Sequence, residues 1–391
     1  MRRRLIRIAL ILLLFPPILA AVAGWLGAPG FLHPLRRELT PDLIREADTS
    51  FAVTHSSRED FTVRAPDGVL LHGWKVHPPN PNGNWVILFH GVADNRIGVI
   101  SQSEFLLRAG YSVVMMDARS HGASEGTIAT YGWLERTDTK SIVDALLASL
   151  SSDRIPTETR VAPSNSAGAG LVYPDPVGAR PAATSAQMHP SGHPPILQMS
   201  PGFRPPPSIY PSQQFEDHGI FHVPLHPPPH VFALGESMGA GIALQSAAAD
   251  PRIEAVVAEA PFASLREASY DYAGLRRSPL LGKTLFRPFS WALIYHGEKI
   301  AGIEISQVSP EKSVASRSFP LLLICDEKDD ALPCRHAQQI YNAALGPKQL
   351  WVVPGAFHTA ALGFQPAEFQ RRVLTFFNEV IAKSAPKAPR Y

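Results

Sequence analysis

Cysteine is nearly absent from this chain of 391 residues; only Cys325 and Cys334 occur. Two cysteines exclude a small disulfide-stapled scaffold, and without zinc-type Cys/His spacing no metal site is expected. The pair flanks one short stretch, so a disulfide formed in an oxidising compartment and two separate thiols both stay open. A charge imbalance is missing too. With 36 Lys and Arg against 34 Asp and Glu, the net charge of +2 points to neither a nucleic acid nor a strongly acidic partner. No internal repeat is visible, which sets aside solenoids and propellers. Lysine is absent from 155–229, a stretch that holds nearly half of the prolines.

Long apolar runs are scarce except at the N-terminus. There Met1-Arg2-Arg3-Arg4-Leu5-Ile6-Arg7 precedes an almost unbroken apolar run, Ile8 to Leu26. Arginines before such a run describe either a signal peptide or a membrane anchor. Its length matches a bilayer, which favours a retained anchor. Pro16 and Pro17 interrupt it, and Ala21-Val22-Ala23 resembles a signal-peptidase site. A buried N-terminal helix is the plainer alternative. Under either membrane reading the arginines stay cytoplasmic and the rest of the chain is anchored or exported on the extracytoplasmic side. Residues 1–32 are therefore expected to be a signal anchor or signal peptide.

Beyond this segment, strands and helices alternate. Phe61 to Arg64 and Val69 to Val76, joined by Asp67-Gly68, read as a β-hairpin. Trp85 to His90 is a continuous apolar run, as expected for a strand buried on both faces of a parallel sheet. Further strands are expected at Tyr111–Asp117, Val231 onward, Ile253–Ala258, Phe319–Cys325 and Gln349–Val353. Helices are expected through Glu104–Arg108, Leu134–Leu150, Ala240–Ala249, Arg335–Ala344 and Pro366–Ala382. This pattern predicts an α/β fold, a mainly parallel central sheet with helices on both faces, built from 51–154 and 230–385. Two segments fall outside it. Residues 155–229, with Pro205-Pro206-Pro207 and Pro227-Pro228-Pro229, read as a disordered Pro-rich insertion; their histidines repeat no ligand spacing. Residues 262–309 read either as a small cap over an apolar pocket or as extra helix packed on the core.

The most telling stretch is Val231-Phe232-Ala233-Leu234-Gly235-Glu236-Ser237-Met238-Gly239-Ala240. A buried strand runs into G-E-S-M-G and then into an alanine-rich helix, the pattern of a nucleophile elbow. A reactive serine has to stand on a very sharp turn at the end of a sheet, and small residues on either side leave room for it. The helix N-terminus behind it favours developing negative charge. Taken alone the motif is weak, because a glycine-rich strand-to-helix turn without chemistry looks similar.

A serine needs a base, and the base needs a carboxylate to orient it. After the strand Leu321–Cys325 come four acids, Asp326, Glu327, Asp329 and Asp330. After the last strand, Pro354-Gly355-Ala356-Phe357 leads to His358. The order Ser, acid, His is the one this fold requires. For an oxyanion hole, Met238 follows the serine and Val92 lies in the loop Gly91–Arg96 after an earlier strand. His90 precedes the serine and belongs to the geometry of that loop.

The set HGVADNR (90–96), DARSHGASEG (117–126), GESMGA (235–240), DEKDDALP (326–333) and GAFH (355–358) resembles the α/β-hydrolase superfamily. Within it, the likeness is to the esterase and serine-aminopeptidase-like branch with an N-terminal membrane segment, over about 58–154 and 230–383. The resemblance implies Asp329 as the acid, from D-x-x-hydrophobic-Pro, with Asp330 in reserve. It implies no catalytic role for Asp117–Gly122. Two features depart from the family. Its members join the preceding helix to the elbow strand by a short link, and they often carry Gly where this chain has Asp326.

The expectation is a serine hydrolase acting on a small-molecule ester through an acyl-enzyme. Ser237, His358 and Asp329 form the triad, and the amides of Val92 and Met238 form the oxyanion hole. This chemistry needs no cofactor. A peptide or amide substrate is the near alternative. A non-catalytic interaction protein on a hydrolase scaffold, binding through the Pro-rich insertion, is the distant one.

Overall fold

The computed structural model describes residues 2–152, 229–273 and 279–384. The insertion expected at 155–229 therefore lies, but for its last residue, outside the described residues. Eight strands form one sheet: β1 (Ser57–Arg64), β2 (Leu70–His77), β3 (Trp85–Phe89), β4 (Ser112–Met116), β5 (Val231–Glu236), β6 (Ile253–Glu259), β7 (Leu321–Asp326) and β8 (Lys348–Val353). Their spatial order is β1-β2-β4-β3-β5-β6-β7-β8. The hairpin β1–β2 and the β2–β4 pair are antiparallel; from β4 to β8 every pair is parallel.

The helices are α1 (Arg2–Leu32), α2 (Pro41–Val53), α3 (Ile100–Arg108), α4 (Glu135–Ser152), α5 (Met238–Ala249), α6 (Leu265–Ala273), α7 (Pro279–Lys283) and α8 (Arg287–Ala301). They continue with α9 (Pro310–Val314), α10 (Arg335–Ala343), α11 (Ala361–Phe364) and α12 (Pro366–Ser384).

The central strands are buried on both faces because their side chains alternate between two cores. Trp85, Ile87 and Phe89 of β3 point into one core with Val231, Ala233, Leu321 and Leu323. Val86 and Leu88 point into the other with Phe232, Leu234, Leu322 and Ile324. That two-residue alternation is the pleat of a strand. Each of the larger of these side chains contributes roughly 1.5–3 kcal/mol on burial. α5 packs in the first core, and α3 and α12 in the second.

Segment 262–309 contains α6, α7 and α8. α8 has Pro288 in its first turn and ends at Gly302, whose left-handed φ of 66° suits a glycine terminus. Against α8 lies the last part of α1. A Cβ at Gly24 would fall 2.2 Å from the Phe289 carbonyl oxygen, so the two backbones touch there. The Trp25 ring stacks on His296 at 3.8 Å, and the His296 ring nitrogen meets the Trp25 carbonyl at 2.7 Å. Ala28 and Leu32 are buried, whereas Leu14, Phe15, Ile18, Leu19, Val22 and Leu26 are exposed. One helix thus has a bare apolar stretch and a docked end. Its span Leu14–Leu32 is long and apolar enough to cross a membrane.

Candidate active site

Ser237 sits between β5 and α5 with φ 52° and ψ −117°, a conformation costly for any residue but glycine. The turn is held because the Ser237 amide donates to the Glu259 carbonyl at 2.9 Å and its carbonyl accepts from Gly241. Flanking glycines are required by contact. A Cβ at Gly235 would lie 2.3 Å from the Gly239 oxygen, and one at Gly239 would lie 2.2 Å from the Phe89 oxygen.

The loop after β8 carries His358, whose Nε2 is 2.9 Å from Ser237 Oγ and whose Nδ1 is 2.6 Å from Asp329 Oδ2. The other oxygen of Asp329 accepts the amides of Ala331 and Leu332, both at 2.8 Å. The carboxylate is therefore fixed on both sides. The neighbouring acids have other partners. Glu327 accepts the Gly355 amide at 2.8 Å, and Asp326 accepts the Thr359 amide at 3.0 Å. The acid loop is closed at its base by the disulfide Cys325–Cys334, with Cα atoms 5.4 Å apart.

Val92 and Met238 line the same cleft as Ser237. The Val92 loop is braced from beneath. Asp117 is fully buried and accepts both the backbone amide and the guanidinium of Arg96 at 2.7 Å. Burial pushes the Asp117 carboxyl up, but Arg96 outweighs it, so its pKa stays below the usual carboxylate value. His90 donates Nδ1–H to the Gly91 carbonyl and accepts the Ala118 amide at Nε2. Burial, opposed only in part by Asp117, lowers its pKa, so it is a neutral spacer within the loop.

Three further carboxyls lie behind the serine and histidine. Glu236 is buried and accepts from Gln102 at 3.1 Å; burial, then the charge of Asp94, push it up to about 8. Glu259 accepts the Ala361 amide at 2.9 Å and is raised well above its ordinary value, first by burial and then by Asp326. Asp326 is pushed up to about 7, first by burial and then by Asp329. Glu259 Oε2 and Asp326 Oδ1 are buried with no hydrogen-bond partner among the described residues. Sequence reasoning missed Glu236 and Glu259. Their signal is position: each is the last residue of its strand.

The cleft beside Ser237 encloses about 250 Å³ and is walled by Phe31, Leu35, Tyr131, Phe262 and Tyr272. Two of these come from the N-terminal segment. Tyr131 Oη donates to the Phe31 carbonyl at 2.7 Å, and Arg37 pairs with Asp94 of the Val92 loop at 2.6 Å. Among the described residues, no group of three or more His, Cys, Asp or Glu is arranged to hold a metal ion.

No family model matches the chain. An uncharacterized protein of Bacillus subtilis, YqkD, is 22% identical over 358 residues, covering 88% of this chain and 89% of the relative. The uncharacterized YfhR of Salmonella typhimurium is 34% identical over 99 residues, 24% of this chain and 33% of that protein. Among solved structures, the Pyrococcus furiosus esterase Pf2001 aligns with a TM-score of 0.55 at 19% identity, over 89% of this chain and 99% of the esterase. A second crystal form of the same esterase gives 0.54 at 20% identity. The chain has the α/β-hydrolase fold, with esterases among its structural neighbours.

Proposed function

We propose that this chain is a serine hydrolase that cleaves carboxylic esters through an acyl-enzyme. The observation that carries the reading is the unbroken line from Ser237 Oγ to His358 Nε2 at 2.9 Å and from His358 Nδ1 to Asp329 at 2.6 Å. In this reading Ser237 gives its proton to His358 as Oγ bonds to the ester carbon. Asp329 holds the imidazole in the required tautomer and stabilises its charged form. The amides of Val92 and Met238 receive the oxyanion, each worth about 3–4 kcal/mol in barrier height. The intermediate collapses, the carbon–alkoxy bond breaks, and His358 returns the proton to the departing alcohol. Water then repeats the sequence: it loses a proton to His358, the acyl–Oγ bond breaks, the acid departs and Ser237 is reprotonated.

The same reading places the catalytic domain on the extracytoplasmic side, behind Arg2, Arg3, Arg4 and Arg7, held by α1. The Cys325–Cys334 disulfide supports that compartment, because such bonds persist where the environment is oxidising.

A fluorophosphonate probe tests the assignment. The wild-type protein and Ser318→Ala, at an exposed serine, should label, and Ser237→Ala should not. Absence of label on the folded wild-type protein, with a control hydrolase reacting, would refute the enzyme reading.

A further inference from the structure

We infer that the substrate of this site is an ester of a membrane-borne amphiphile, taken from a bilayer against which α1 and α8 lie; this rests on the hydrolase reading above. The helix that is apolar enough to span a membrane is also a wall of the cleft. Gly30 and Phe31 belong to the apolar span Leu14–Leu32 and line the pocket that holds Ser237. Leu35, just past the helix, lines it too and is 86% exposed. The mouth of the cleft is therefore built at one end of the span.

The side chains around that end fit a bilayer surface. Where the bare part of α1 meets its docked part, Trp25 lies 6.3 Å from Tyr295, and Tyr295 stacks on Trp291 at 5.4 Å. All three remain exposed, Trp291 by 62%. Leu280 and Leu285, in the same 262–309 segment, are also bare, 65% and 70% exposed. Trp and Tyr favour the level of the headgroups, where one end of the ring is apolar and the other wet. Exposed apolar side chains on this scale mark a partner surface. Its continuity with the bare face of α1, Leu14 to Leu26, identifies that partner as lipid. From α1 the path into the cleft stays aromatic: Phe31 stacks on Tyr131 at 5.1 Å and meets Tyr272 edge-on at 6.4 Å. An amphiphile lying in the outer layer of the bilayer can keep its chain among these rings while its ester reaches Ser237.

The test uses the full chain reconstituted in phosphatidylcholine vesicles. Turnover of a long-chain 4-methylumbelliferyl ester dissolved in the bilayer is compared with turnover of water-soluble p-nitrophenyl acetate. Replacing Trp291 and Tyr295 together by Glu should lower the bilayer-borne rate by about tenfold or more while leaving the soluble rate within about twofold. Equal rates for the variant and wild type on both substrates would overturn the proposal. Fluorophosphonate labelling is followed in parallel: intact labelling without the differential loss defeats this proposal alone, and absent labelling defeats the hydrolase reading as well. A second measurement does not depend on activity. Brominated phosphatidylcholine should quench the part of the tryptophan emission that Trp291→Phe removes. Quenching of that part by aqueous iodide instead, or its burial in a dimer seen by light scattering, would overturn the proposal.

Discussion

The carboxyl of Asp326 holds the amide of Thr359, the residue that follows His358, at 3.0 Å. The histidine loop is thus fastened to the end of β7 by an acid pushed up to about 7 by burial, then by Asp329. The acceptor matters here more than the charge. Asp326→Asn keeps an acceptor and should retain kcat within about threefold at pH 7, whereas Asp326→Ala should lower it about tenfold, the worth of a lost buried hydrogen bond. Steady-state hydrolysis of p-nitrophenyl acetate measures both; equal losses would show that the charge is what counts.

Asp329 and its neighbour Asp330 separate in the same assay. Asp329→Asn should lower kcat by about 10⁴, because the imidazole loses its orienting acceptor, and Asp330→Asn should stay within about threefold. A larger loss in Asp330→Asn would transfer the orienting role to that residue.

The raised carboxyls set a pH dependence of stability. Glu236, at about 8, and Asp326, at about 7, hold protons in the folded chain that the unfolded chain has released. Their contribution is fully present below the ordinary carboxylate pKa and is lost as pH rises toward 8. Each can steepen the decline by at most about 1.4 kcal/mol per pH unit. Thermal melts between pH 5 and 8 should therefore fall with pH in the wild-type protein and fall less in Glu236→Gln. An unchanged slope in that variant would contradict the assignment.

Gly239 has no room for a methyl group, since its Cβ would meet the carbonyls of both Phe89 and His90. The end of β3 has to move in Gly239→Ala, and the Val92 loop moves with it. The variant should lose roughly 1–3 kcal/mol of stability and about 100-fold or more in turnover. Calorimetry and probe labelling check the two separately; wild-type turnover would mean that the loop position is immaterial.

Reduction of Cys325–Cys334, or replacement of both by Ser, should cost about 2–3 kcal/mol from the short closed loop. Turnover should fall too, because that loop carries Asp329. Activity measured with and without dithiothreitol decides the second part.

The strands and the three side chains that meet at the cleft were legible because each lies where an apolar run gives way to turn residues. Ser237 follows β5, Asp329 follows β7 and His358 follows β8, and in a parallel sheet those ends share one edge. The choice of Asp329 over three neighbouring acids came from a resemblance in spacing, not from periodicity. Glu236 and Glu259 were legible as strand-end residues but not as buried ones, since the groups that meet them, Gln102 of α3 and the Ala361 amide of α11, come from elsewhere in the chain. Nor was the docking of α1. A helix that is apolar all round does not mark which face is packed, and the contact turns on Gly24 lying against a backbone oxygen of Phe289.

The strand order carries a consequence for how the molecule comes together. β1 to β4 occupy one side of the sheet and β6 to β8 the other, with β5 between β3 and β6. His230, at the head of β5, bonds Asn84 across 146 positions of sequence and Glu254 across only 24. Closing the longer loop costs about 1.6 kcal/mol more chain entropy. Within the sheet, the β3–β5 pairing is thus the seam where the two contiguous halves of the chain meet. Ser237 emerges from one lip of that seam and Val92 from the other, so the reactive centre comes into being only when the halves join.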